Sequence, residues 1–161
     1  MMNNNNNNGG TMSFVKTGLT AGTTSTYTTT VATDFIINGK FGTQFATKTN
    51  QATPTTDHRT GVAFPTVQIN QGTVIVFGVV AAGTVVACQG SIEDLDPSSD
   101  EFIIAPSFPS IPVTMAPIGY VIVTNDSSGD PWTFGSDNWT ATGITDTFVN
   151  IGMMPDRPQE S

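Results

Sequence analysis

Thr73-Val74-Ile75-Val76-Phe77-Gly78-Val79-Val80 is a nearly unbroken run of β-branched and aromatic residues. A strand with one wet face alternates apolar and polar side chains. This run does not alternate, so it predicts a strand covered on both faces. Ala81-Ala82-Gly83 turns the chain into Thr84-Val85-Val86-Ala87-Cys88, and the two runs read as a central hairpin. Outward from it the pattern stays β. Phe35-Ile36-Ile37 and Lys40-Phe41 flank Asn38-Gly39, a pair whose residues tolerate the positive φ of a two-residue hairpin turn. Tyr27 to Val31, Ile118 to Thr124 and Thr145 to Ile151 read as further strands. Trp132 and Phe134 stand two apart, as on one side of a strand. Pro106, Pro109, Pro112 and Pro117 forbid a helix and predict an extended segment laid over the core, carrying Phe108, Ile111 and Met115.

Many short strands separated by turn signals predict an all-β fold: a single antiparallel β-sandwich or barrel, jelly-roll-like, with an extended N-terminal arm. The expected division is a flexible arm over residues 1–13, a sandwich domain over 14–158 and a tail over 159–161. Asn3 to Asn8 in the arm is polyasparagine, which has nothing to bury.

Only 11% of the 161 residues are charged, and the formal net charge is −8 with a pI of about 4.1. That sign repels phosphate backbones and anionic lipid surfaces, so neither nucleic acid nor membrane is an expected partner. The start of the sequence shows neither the basic nor the apolar region of a secretory signal, and synthesis and retention in a cytosol is the expectation.

Residues that do chemistry are scarce. His58, the one histidine, lies in Thr56-Asp57-His58-Arg59 without a serine motif, and reads as a solvated loop residue. One histidine and one cysteine cannot supply a zinc site. Cys88 follows Val85-Val86-Ala87 and reads as a small buried apolar residue. Asp94-Leu95-Asp96-Pro97-Ser98-Ser99-Asp100 has oxygens on alternate residues, as calcium prefers. It departs from the EF-hand loop, with Ser99 in place of the turn glycine and Ala105 in place of the bidentate glutamate. Glu93, Asp94, Asp96, Asp100 and Glu101 are too close together in one loop to define a glycosidase cleft. Trp132, Phe134 and Trp139 read as core, with a sugar-stacking platform as the alternative. These readings predict a protein that is not an enzyme and has no cofactor.

Several stretches resemble small structural proteins of tailed bacteriophages. They are Gly61 to Phe64, Asn70-Gln71-Gly72-Thr73-Val74-Ile75-Val76, Gln89-Gly90, Ala105-Pro106-Ser107-Phe108-Pro109 and Pro117-Ile118-Gly119-Tyr120. Trp132-Thr133-Phe134-Gly135, Thr142-Gly143-Ile144-Thr145 and Met154-Pro155-Asp156-Arg157-Pro158 complete the set. Within that group the chain looks most like a head decoration, or cement, protein. The resemblance implies a virion component, assembled in the host cytoplasm, that sits on the capsid surface and binds the major capsid protein. It also implies a homotrimer. Phe14, Phe108, Met153 and Met154 are the expected contact residues. The alternative is a tail-fibre or adhesin module that binds a receptor or glycan through Trp132, Trp139 and the acidic loop.

Overall fold

The computed structural model describes residues 10–154 and 158. Its strands are β1 (Met12–Ser13), β2 (Thr20–Ala21), β3 (Thr26–Thr29), β4 (Phe35–Ile37) and β5 (Lys40–Phe41), followed by β6 (Lys48–Ala52), β7 (Gln71–Val80), β8 (Val85–Asp94), β9 (Met115–Asn125) and β10 (Ile144–Asn150). All paired strands run antiparallel, and there is no helix among the described residues.

The apolar run becomes β7, which pairs with β8 on one side and β9 on the other in a four-stranded sheet of order β10-β9-β7-β8. Gly72 to Val79 are all buried, as a strand covered on both faces must be. Successive side chains go to opposite faces. Ile75, Phe77 and Val79 enter the larger core with Val121 and Val123, whereas Val74 and Val76 join Cys88, Met115 and Tyr120 in a second, smaller one.

The larger core lies between this sheet and two three-stranded sheets, β2-β3-β6 and β1-β4-β5. Tyr27 of β3 meets Phe77 with ring centroids 5.8 Å apart, and Phe35 of β4 is fully buried beside them. An open antiparallel sandwich is the result. The barrel alternative does not form, because β8 and β10 remain the two edges of the large sheet.

The proline-punctuated segment closes the smaller core. Phe108 packs edge-on against Tyr120 at 4.9 Å, with Ile111 beside it. Its close approach needs a glycine: a Cβ at Gly90 would run into the Ser107 carbonyl oxygen. Pro117 lies within β9 but outside the β9–β10 pairing, which begins at Gly119. Its missing N–H therefore interrupts no ladder there.

The Asn38-Gly39 turn forms as its sequence requires, with φ of 50° and 74°, and joins β4 to β5 in the register Ile37↔Lys40 and Ile36↔Phe41. The arm expected over residues 1–13 overlaps a strand. Residues 1–9 lie outside the described residues. Met12 and Ser13 are not a free arm: they pair with Ile36 and Phe35, and the Ser13 N–H donates to the Gly152 carbonyl at 3.1 Å.

Candidate functional site

The polar residues that invited a chemical reading turn out to serve the backbone. Asp57 is buried; its Oδ1 accepts the N–H groups of Arg59 and Thr60 at 2.8 and 3.3 Å, and its Oδ2 accepts that of Gln89 at 2.9 Å. The carboxylate thus ties the Asp57–Thr60 turn to the edge of β8. His58 lies in that turn, as its sequence implied, but is less solvated than expected. It is half-buried, its N–H donates to the Ala87 carbonyl at 2.9 Å, and its Nε2 lies 3.3 Å from Thr114 Oγ1. The turn that satisfies Asp57 presses the histidine against the sheet.

Asp96 Oδ1 accepts both the N–H and the hydroxyl of Ser98, at 2.8 and 2.6 Å, and Asp126 Oδ1 does the same with Ser128 at 2.7 and 2.6 Å. Those serine hydrogen bonds hold both carboxyls below the usual aspartate range. Asp94, the other end of the calcium-like spacing, accepts a hydrogen bond from Gln71 Nε2 at 3.0 Å. Among the described residues no three His, Cys, Asp or Glu side chains converge as metal ligands. Cys88 is fully buried, and burial pushes its thiol pKa up to about 11.

The tryptophans are core. Trp132 and Trp139 are 1% and 3% exposed, and their indole N–H groups donate to the carbonyls of Asn138 and Thr26 at 3.0 and 2.8 Å. Their rings lie 5.5 Å apart, and both contact Phe134. They share one core, although the chain there makes only an isolated bridge from Trp132 to Val67. No sugar can stack on them, so the adhesin alternative loses its aromatic platform.

What remains is an apolar surface at one end of the molecule. The small sheet β1-β4-β5 turns Phe35 and Ser13 inward. Its register then places Met12, Ile36 and Phe41 on the outer face. Phe41 is 76% exposed, and Phe14, at 50%, stacks on it with ring centroids 6.0 Å apart. Beyond the hairpin turn, Thr11, Asn38, Ile111, Val113, Met153 and Met154 line a hollow of about 320 Å³. Asn38 Nδ2 fixes one wall by donating to the Val113 carbonyl at 3.3 Å. Val113 and Met153 are 71% and 62% exposed. Several large exposed apolar side chains at one end of a fold make a candidate contact site.

Of the expected contact residues, the structure brings Met153 and Met154 together in the hollow and places Phe14 just past β1, stacked on Phe41 of the small sheet. Phe108 is not with them: it is half-buried, covering the smaller core through Tyr120. The sequence reading missed Phe41 and Val113. A signal for Phe41 was present, since a two-residue Asn-Gly turn fixes its register opposite Ile36. Val113 gave none, because its exposure depends on how the proline segment lies. No protein-family model, curated protein sequence or solved structure matches the chain.

Proposed function

We propose that this chain is a non-enzymatic structural protein of a virion, a decoration or cement protein that binds the outside of a capsid shell and braces its major capsid protein subunits. The observation that carries the reading is the apolar hollow walled by Val113, Met153 and Met154, next to the exposed Phe14–Phe41 pair. Asp57, Asp96 and Asp126 hold turns and Asp94 makes a cross-strand hydrogen bond, whereas Phe14, Phe41, Val113 and Met153 are large apolar groups left exposed. The resemblance to phage head proteins supplies the kind of partner.

The mechanism is cross-bracing through buried area. An interface of ordinary size buries about 1,600 Å². Repetition over a shell converts modest single contacts into strong retention. Low surface charge favours such contacts, because few charges must be stripped of water when the surface is covered. The protein acts as a homotrimer on the capsid surface, assembled in the host cytoplasm.

The test uses purified protein and capsids that lack it. Rebinding and a higher capsid melting temperature are expected, and Val113→Asp with Met153→Asp should abolish both. Capsids that neither bind the protein nor melt differently in its presence would rule the reading out.

A further inference from the structure

The two edges of the large sheet differ in what lies against them. In an antiparallel ladder, alternate residues point their N–H and C=O groups away from the partner strand. On β8 the outward residues include Ala87, Gln89, Ser91 and Asp94, and each has an outward group in use. The Ala87 carbonyl accepts the His58 N–H at 2.9 Å, and the Gln89 N–H donates to Asp57 at 2.9 Å. The Ser91 N–H donates to the Ser107 carbonyl at 3.2 Å, and the Asp94 carbonyl accepts the Ile103 N–H at 3.1 Å. A turn and the proline segment thus cover the β8 edge.

The β10 edge has no such cover. The Asp126 N–H donates to the Gly143 carbonyl just before the β9–β10 pairing, and the Ile151 N–H donates to the Ile118 carbonyl just after it. Alternation from both ends makes Thr145, Thr147 and Val149 the residues bonded to β9. Ile144, Asp146 and Phe148 therefore point their backbone groups outward. The Ile144 N–H is taken by the Ala141 carbonyl at 3.1 Å, and the Asp146 carboxyl turns back on its own N–H. Among the described residues, the Phe148 N–H and the carbonyls of Asp146 and Phe148 have no partner. Beyond them, the Asn150 side chain holds Leu19 against the strand, so the open stretch is Ile144 to Phe148.

Charge beside this edge has one sign. Phe148 packs on the larger core, and Thr145 and Thr147 take the opposite face, where they floor a hollow of about 400 Å³ with Ile122 and Thr124. Asp100 and Glu101 line the same hollow with Phe102. A Cβ at Gly72 would run into the Phe102 ring, so this loop stands over β7, across the hollow from the open edge. Asp126 lies at the start of β10, its Oδ1 2.8 Å from where a Cβ at Gly143 would be. Asp146 belongs to the strand itself. Among the described residues, no lysine, arginine or histidine lines the hollow.

We infer that the β10 edge takes an extended segment of a partner protein, with lysine or arginine on alternate residues, as a fifth strand of the large sheet. The open edge sets the conformation, because only an extended backbone can meet the outward groups of Asp146 and Phe148 together. The carboxylates set the composition. A strand about 4.8 Å beyond β10 turns every second side chain to the Thr145–Thr147 face, and long cationic side chains there extend across the hollow toward Asp100 and Glu101. An acidic segment would be repelled, and the β10 edge of another copy would bring its own carboxylates against these. The surface shares no lining residue with the Val113–Met153 hollow, and the inference stands independently of the shell reading.

The probe is a synthetic peptide of Lys-Val repeats, blocked at both ends and titrated into the isotope-labelled full chain. NMR shifts and amide hydrogen exchange report the contact. At about 0.05 M salt the peptide should bind with a Kd below about 100 µM. Binding should weaken about tenfold toward about 1 M, where the screening length is about 3 Å. The Phe148 amide, unpaired in the chain alone, should gain about tenfold protection or more. Asp100→Lys with Glu101→Lys changes two exposed positions, so circular dichroism should be unchanged. That variant should bind the Lys-Val peptide about tenfold more weakly and take a Glu-Val peptide instead. Methylating the backbone nitrogens of the lysines, or those of the valines, should abolish binding in one series only, because one edge of the peptide faces β10. Equal effects of the two series would refute strand pairing. A Phe148 amide that stays unprotected in the saturated complex would mean that charge alone holds the peptide, and the inference fails. It fails also if the wild type does not bind the peptide, or if the charge-reversed variant binds it as the wild type does.

Discussion

Replacing Phe134 by alanine should destabilise the fold by about 4 kcal/mol. The ring is 1% exposed and meets Phe64 and Phe77 edge-on, with centroids 4.7 and 5.5 Å away; Trp139 and Trp132 lie at 5.7 and 6.4 Å. Removing the burial of a phenylalanine side chain costs about 1.5–3 kcal/mol. The lost edge-to-face pairs add about 0.5–1.5 kcal/mol each. The surrounding rings are held by both sheet layers and by indole hydrogen bonds, so they cannot collapse freely into the void. The result falls in the usual range of about 3–5 kcal/mol for removing a core aromatic ring. For a chain of this length it corresponds to a melting temperature lower by about 12 °C. Urea unfolding followed by tryptophan fluorescence is the assay, since Trp132 and Trp139 both sit in the cluster. Phe41→Ala is the control: its ring is 76% exposed and should change stability by less than about 0.5 kcal/mol. A loss below about 1.5 kcal/mol for Phe134→Ala would refute the claim that this cluster joins the sheets.

Gly78→Ala should destabilise by about 1–3 kcal/mol, because the added Cβ would lie 2.6 Å from Met115 Cγ and 2.7 Å from the Ala116 carbonyl oxygen; urea midpoints would show it. Cys88 should resist a thiol reagent at neutral pH in the native state, its pKa being pushed up to about 11, and react fully in urea; fast native labelling would contradict its burial. Asp146 has its carboxyl pKa raised by burial, so its charged form is disfavoured in the fold. Its penalty is present above the folded pKa and fades as pH falls through it. Asp146→Asn should therefore raise the melting temperature at neutral pH and leave it unchanged in acid. Asp96 and Asp126 have the opposite sign: their stabilisation is present above the ordinary aspartate pKa and is lost as pH falls through the lowered one. Ser98→Ala and Ser128→Ala should each raise the partner carboxyl's pKa in an NMR titration.

The sequence determined much of this molecule through local rules. Continuous β-branched residues from Thr73 to Val80 allow only a strand covered on both faces, and that strand organises both cores. Asn38-Gly39 set a turn and a register because positive φ is cheap at both positions. The scarcity of histidine, cysteine and basic residues restricts the chemistry from the sequence alone.

Tertiary structure decided which apolar groups were left outside. Phe108 and Phe41 are equally hydrophobic as letters, yet one covers Tyr120 and the other meets solvent. Met12 and Ser13 join a sheet because Phe35 and Ile36, more than twenty positions later, offer them an edge. The Phe14–Phe41 pair and the acidic loop reach opposite ends of β7, a distance the order of residues does not contain. Exposure and separation in space are sums over contacts remote in sequence, so only the folded chain can fix them.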